Sequence, residues 1–273
     1  MASRSPKRRG RRKQIDTSHQ RNWLTGRHTV TSMLVSGKWP FSRLCATEQA
    51  RSDLVSVAPG DSSDCDWQFR VEWVTAERLT QLTGSRHHQG LAAQMGPFPC
   101  RSLADLPELL EQNAGRHPEL IPVVVFCDRI QDAFNLGAIL RCCDAMAVAA
   151  VVIGRREQIG ITPQVARSSA GAIHHLPVIQ VDSLPDAAHR LADTGFQLLA
   201  ASEKASTAVW QASVDTPTAL IIGSEARGVS ESLLAACRQS VAIPMKGHVG
   251  SLNAAVATGI LLYELRRRQA DPA

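Results

Sequence analysis

Short runs that are apolar almost throughout recur along the second half of the chain, at residues 122–127, 149–153, 178–181, 197–201, 219–222 and 240–243. A strand exposed on one face alternates apolar and polar positions, whereas a strand covered on both faces does not. These runs therefore predict a parallel sheet with helices on both sides. Stretches of helical spacing lie between them, including 138–147, and residues 251–268 predict a closing helix. The pattern ahead of residue 95 differs: 26–34 has helical spacing, 69–74 alternates as a strand does, and 76–82 suits a short helix. Between the two regions, Gly96, Pro97, Pro99, Pro107, Gly115 and Pro118 surround a helix-like segment at 103–112, which reads as a linker. The expected architecture is α/β, with a tail over 1–20, a smaller α/β domain over 21–97, a linker over 98–118 and a larger α/β domain over 119–270.

Composition changes this picture in one place. Arg4, Lys7, Arg8, Arg9, Arg11, Arg12 and Lys13 crowd the first thirteen residues, so the net charge of +5 is almost entirely a property of the tail. Such a segment has too little apolar surface to order itself, and its charge either contacts nucleic-acid phosphate or simply aids solubility. No apolar run is long enough for a secretory signal or a membrane span, which points to a cytoplasmic protein without membrane contact. Seven cysteines without a CxxC pair suit neither a disulfide framework nor zinc, and the paired histidines His87-His88 and His174-His175 lack metal-site spacing. No metal is expected; the cysteines read as buried reduced thiols and the histidines as surface or loop residues.

Three polar segments follow predicted strands, and ligands of α/β sheets gather beyond the carboxyl ends of strands. In the first, Asp132, Asn135 and Arg141 follow the 122–127 run; Asn135 and Arg141 either serve a site or act as a helix cap and an exposed cation. In the second, Gly223-Ser224-Glu225-Ala226-Arg227-Gly228 has the outer glycine spacing of a phosphate loop, but Val229-Ser230 stands where Lys-Ser or Lys-Thr is needed, which excludes that ATP or GTP site. Its glycines would let backbone approach a flat ligand or make a tight turn. In the third, Ile243-Pro244-Met245 runs to Ser251-Leu252-Asn253, with Ser251 as a candidate N-cap. Asn253, inside an apolar helix, needs a partner for its amide, such as Glu225, a ligand or water. In the first domain, Ser85-Arg86-His87-His88-Gln89-Gly90 is a cluster of donors suited to RNA phosphate or base edges, or a plain polar loop.

Taken in order, these segments resemble the three motifs of the SpoU (TrmH) family of RNA ribose methyltransferases: Asn135-Leu136-Gly137 through Arg141, Ile222-Gly223-Ser224-Glu225 through Gly228, and Ile243-Pro244-Met245 through Ser251-Leu252-Asn253. Ser169-Ala170-Gly171-Ala172 matches a further stretch common there. Gly26-Arg27-His28 and His88-Gln89-Gly90 are similar to the ribosomal-protein-like substrate domain of bacterial enzymes that methylate a guanosine ribose of large-subunit rRNA. Ala133-Phe134 stands where Pro-x is frequent, Ala226 where glycine is usual, and Ala254-Ala255 where Val-Ser is frequent; none of these removes a polar group expected at the site.

The resemblance implies a SPOUT methyltransferase domain with a trefoil knot, S-adenosylmethionine as cofactor, RNA as substrate (rRNA, with tRNA as the alternative), and a homodimer whose site two subunits share. It implies catalytic or orienting roles for Arg141, Asn135, Glu225, Ser251 and Asn253, and cofactor binding at Gly223, Ile243 and Leu252. A non-catalytic RNA-binding or ribosome-assembly protein that keeps the fold is the competing reading, and cofactor binding separates the two. Periodicity alone would have led to an unknotted, doubly wound sheet.

Overall fold

The computed structural model describes residues 22–57, 71–213 and 215–270. The expected basic tail and residues 69 and 70 of the predicted strand lie outside the described residues. In the first region the chain runs through strand β1 (Trp23–Thr25), helix α1 (Arg27–Ser36), β2 (Phe41–Ala46), α2 (Arg51–Val57), β3 (Val71–Trp73), α3 (Ala76–Thr83) and β4 (Leu91–Met95). The strands form a sheet of order β1-β4-β2-β3, antiparallel except where β2 meets β3. α1 and α3 match the helical spacings. β1, β2 and β4 have no counterpart among the expected strands, because their buried residues, such as Leu24, Leu44 and Ala93, come in runs too short to show a period. Trp39 closes this unit by donating Nε1–H to the Gly96 carbonyl at 2.8 Å and by meeting the Phe98 ring edge to face at 5.0 Å.

The segment read as a linker holds α4 (Leu106–Arg116), whose Leu106 and Leu109 are buried against the larger sheet, while Arg101 pairs with Ile179 at its edge. Next come β5 (Val123–Asp128), α5 (Ala133–Ala145), β6 (Ala150–Gly154), α6 (Pro163–Ser168), β7 (Val178–Val181), α7 (Leu184–Asp193), β8 (Gln197–Ala201), β9 (Thr207–Ala208), β10 (Thr218–Gly223), α8 (Glu231–Ala236), β11 (Gln239–Ala242) and α9 (Ala254–Ala270). All seven strands pair in parallel in the order β7-β6-β5-β10-β8-β11-β9. Each of the six expected apolar runs is a strand of this sheet. Every residue of β5 is buried, and its side chains divide between two layers: Val123, Val125 and Cys127 face α5 and α9, while Val124 and Phe126 face α4 and α7. Valine and phenylalanine side chains this deep contribute about 1.5–3 kcal/mol each.

Sheet order reverses where β10 lies between β5 and β8, and the loops after β5, β8, β10 and β11 open at that point. α5 lies so close to α6 that a Cβ on Gly137 would stand 2.3 Å from the Ser168 Cβ and 2.7 Å from the Val165 carbonyl oxygen. This contact locks the helix that carries the first motif. The two regions meet through Arg167, which donates to Thr25 Oγ1 at 3.2 Å, and Lys38, which donates to the His174 carbonyl at 3.2 Å.

Candidate active site

Two helix starts fall elsewhere than their spacing suggests, and both shifts shape the site. α5 begins at Ala133, five residues before the expected start, because the Asp132 carboxylate caps it by accepting from the Asn135 N–H at 2.9 Å. Asn135 is therefore not the cap, and its side chain is free for other contacts. α9 begins at Ala254 rather than at Ser251: Asn253 Oδ1 accepts from the N–H groups of Ala255 at 3.0 Å and Val256 at 3.3 Å, so Asn253 is the capping residue. Ser251 stays in the loop before it and is exposed.

With Oδ1 committed to the helix, the Asn253 Nδ2 group faces outward and donates to Asn135 Oδ1 at 2.9 Å and to Glu225 Oε1. Glu225 Oε1 also accepts from the Ala254 N–H at 3.2 Å. One asparagine thus ties the first turn of α5 and the loop after β10 to the start of α9, three segments far apart in sequence. The bonding fixes the amides, since Asn135 presents its oxygen to Asn253 and is left with its two N–H donors for something else.

Beside this network lies a cavity of about 290 Å³, bounded by Ala201 to Lys204 after β8, the 222–229 loop after β10, and Ile243, Met245 and Gly250 to Leu252 after β11. Its size is near the lower end of small-molecule sites, roughly 300–1,000 Å³. Ile222, Ile243, Met245, Leu252 and Leu261 supply apolar walls, and Gly223, Glu225 and Ser251 also line it. Backbone comes close at Gly223, where a Cβ would sit 2.0 Å from the Gly228 carbonyl carbon. A cavity with these apolar walls and with backbone packed closely at Gly223 can take a flat heteroaromatic ring, and Glu203, Lys204, Glu225 and Arg227 add charge to its lining.

The structure thus brings together Gly223, Glu225, Ser251, Leu252 and Ile243 around the cavity, with Asn253 and Asn135 at its rim. Arg141 is set apart. It is exposed on α5, six residues beyond Asn135, about 9 Å along the axis, and has no hydrogen-bond or ion-pair partner among the described residues.

In the first domain, Arg27, Gln49, Arg86, Gln89 and Gly90 line a second depression, near which the Arg51 guanidinium stacks 4.2 Å over the exposed Trp73 ring. His88 is not a surface donor: it is buried, with Nε2 3.1 Å from Thr80 Oγ1 and Nδ1 accepting from the Gly90 N–H at 3.1 Å. His174 is buried as well, and burial lowers its pKa to about 4. His87 and His175 are exposed, as expected of surface or loop histidines, whereas the burial of His88, in a turn, and of His174 could not be read from spacing. The described cysteines are free thiols; Cys45, Cys127 and Cys143 are buried, and burial pushes the Cys127 thiol up to about 12. Among the described residues there is no metal-binding cluster and no helix long and apolar enough to cross a membrane.

Residues 122–263 match the model of the SpoU rRNA Methylase family, and residues 23–99 match that of the RNA 2'-O ribose methyltransferase substrate binding domain. A TrmH family tRNA/rRNA methyltransferase of Staphylococcus aureus is 33% identical over 248 residues, spanning 91% of this chain and 96% of the relative. The SpoU methyltransferase AviRb of Streptomyces viridochromogenes shares the fold at a TM-score of 0.71 and 24% identity, over 93% of this chain and 91% of that one. AviRb has also been crystallised with the cofactor AdoMet. An AdoMet-bound rRNA methyltransferase of Sinorhizobium meliloti aligns at a TM-score of 0.72 and 20% identity, over 92% of this chain and 89% of that one. With both domains matched and the relative aligned nearly end to end, the chain belongs to the SpoU family of RNA methyltransferases.

Proposed function

We propose that this protein methylates a ribose 2'-hydroxyl of RNA, with S-adenosylmethionine as methyl donor and a guanosine of large-subunit (23S) rRNA as substrate. The observation that carries this reading is the Glu225–Asn253–Asn135 network beside a cavity walled by Ile222, Ile243, Met245 and Leu252. The cofactor fits that cavity by its chemistry, since a purine needs an apolar slot with backbone hydrogen bonds, and Gly223, Ile243 and Leu252 would hold it. When bound, it supplies an electrophilic methyl group on a sulfonium.

The protein's share of the reaction is then to hold the ribose in line and stabilise charge as its hydroxyl loses a proton. The free N–H pair of Asn135 would hold the ribose; Glu225 and Asn253 keep that amide turned outward; Ser251 would contact a phosphate or Arg141. A guanidinium with a pKa above about 12 is a poor base but a good partner for a developing alkoxide, so electrostatic stabilisation is the role assigned to Arg141.

The position of Arg141 supports a homodimer with a shared site. Phe134 and Arg141, seven apart, lie on one face of α5, and the exposed Val256, Ile260 and Tyr263 form a stripe along the neighbouring α9. A two-fold axis through this apolar patch would cover it and carry Arg141 to the partner's cavity. The trefoil threading, the division at 21–97, 98–118 and 119–270, and a cytoplasmic location belong to the same reading. The depression around Arg27, Arg86 and Gln89, with the Trp73–Arg51 stack, suits unpaired RNA.

Tritiated methyl transfer to protein-free large-subunit rRNA and to bulk tRNA tests this. Label in one rRNA guanosine is expected. Label in tRNA alone would keep the chemistry and overturn the substrate. Absence of cofactor binding would favour the RNA-binding reading.

A further inference from the structure

The 224–230 loop forms one wall of the cavity and carries Glu225, yet few of its own side chains anchor it. The anchor comes from the end of β5. Asp128, 3% exposed, lies in register with Gly223 and accepts from the Ser230 N–H through Oδ2 at 2.7 Å. Arg129 follows it in the left-handed region at φ 58, where arginine is disfavoured. That conformation turns the guanidinium back over the loop: Nε stands 3.3 Å from Asp128 Oδ1, and Nη2 donates to the Gly228 carbonyl at 3.2 Å. The backbone of Ile130 is pinned from the other side, its N–H donating to Gln158 Oε1 at 2.7 Å and its carbonyl accepting from the Ile159 N–H at 2.9 Å. Neither Asp128 nor Arg129 lines the cavity.

We infer that Asp128 and Arg129 are positioning residues, a clamp that holds the 224–230 loop against Gly223 and so sets the cavity wall and the place of Glu225. A strained residue persists only where its surroundings fix it, and here the strain aims the guanidinium at the Gly228 carbonyl while the neighbouring Asp128 holds Ser230. The consequence for the cofactor rests on the function proposed above; the clamp itself does not.

Arg129→Gly is the discriminating variant, because glycine accepts the left-handed backbone without strain while the guanidinium is lost. Calorimetric titration of S-adenosylmethionine and amide hydrogen exchange would be measured on the full-length wild type and variant. The expected result is a melting temperature lower by a few degrees, because the buried Asp128 carboxylate loses its guanidinium, exchange faster at 224–230 but not at 135–141, and cofactor affinity weaker by roughly tenfold, the scale of one lost charge-assisted hydrogen bond. Arg129→Lys should recover part of that affinity. Unchanged exchange at 224–230 would overturn the clamp. Faster exchange in the variant together with a wild type that binds no S-adenosylmethionine would uphold the clamp and refute the cofactor.

Discussion

Arg141→Ala is expected to lower methyl transfer by about 10²–10³-fold, the effect of removing one preorganised charge-stabilising donor, while the melting temperature and cofactor affinity stay within error of the wild type. Stability should hold because Arg141 is exposed and forms no hydrogen bond or ion pair among the described residues, so truncation leaves no buried group without a partner. Cofactor binding should hold because Arg141 does not line the cavity. A shared site adds a sharper expectation. Arg141→Ala and Asn253→Ala would each be nearly inactive alone, yet mixed dimers would regain activity, since one of their two sites pairs an intact Arg141 with an intact Asn253. Initial rates with saturating RNA, before and after subunit exchange, check both points. Full activity of Arg141→Ala would remove its assigned role, and a lack of recovery on mixing would place the whole site within one chain.

Gly223→Ala should have the second large effect, on binding rather than on chemistry. The added Cβ would lie 2.0 Å from the Gly228 carbonyl carbon and 2.2 Å from the Val229 nitrogen. Both are backbone atoms and cannot swing aside as a side chain end can, so the loop must lift off the strand. Overpacking of this kind costs about 1–3 kcal/mol, a fall of several degrees in melting temperature for a chain of this size. The displaced loop also takes Glu225 away from Asn253, so cofactor affinity is expected to fall by about 100-fold. Gly228→Ala is the control: nothing lies within 4 Å of its Cβ, and only the positive φ of 65 opposes it. Strain alone, about 1 kcal/mol, should therefore cost far less binding. Equal losses in the two variants would show that the close approach at Gly223 does not set the cavity.

The larger sheet was legible because its strands are buried on both faces and so announce themselves as unbroken apolar runs; Val123 to Asp128 is the clearest, with no exposed residue. The three-residue strand Trp23–Thr25 is too short for any period to stand out, whereas Val71–Trp73 lies within the alternating 69–74 run and was read as a strand. Helix starts were misplaced because capping competes with spacing: Asp132 and Asn253 set them, and nothing in the apolar pattern distinguishes Asn253 from Ser251 as cap. At the site, the need of Asn253 for a polar partner left Glu225, a ligand or water open, and the structure supplies the bond to Glu225. Its second bond, to Asn135, spans 118 residues and depends on how β5 and β11 are placed in the sheet. Arg129 was invisible in principle, since local propensity argues against arginine at a left-handed position and only the tertiary contacts of its side chain favour it.

Alkaline digestion of the labelled RNA product tests the central claim most directly. A methyl group on a ribose 2'-oxygen blocks attack of that oxygen on the neighbouring phosphate, so the account predicts that all label is recovered in an alkali-resistant dinucleotide. Label recovered in mononucleotides would place the methyl group on a base and contradict the chemistry assigned to Arg141, Asn135 and their network.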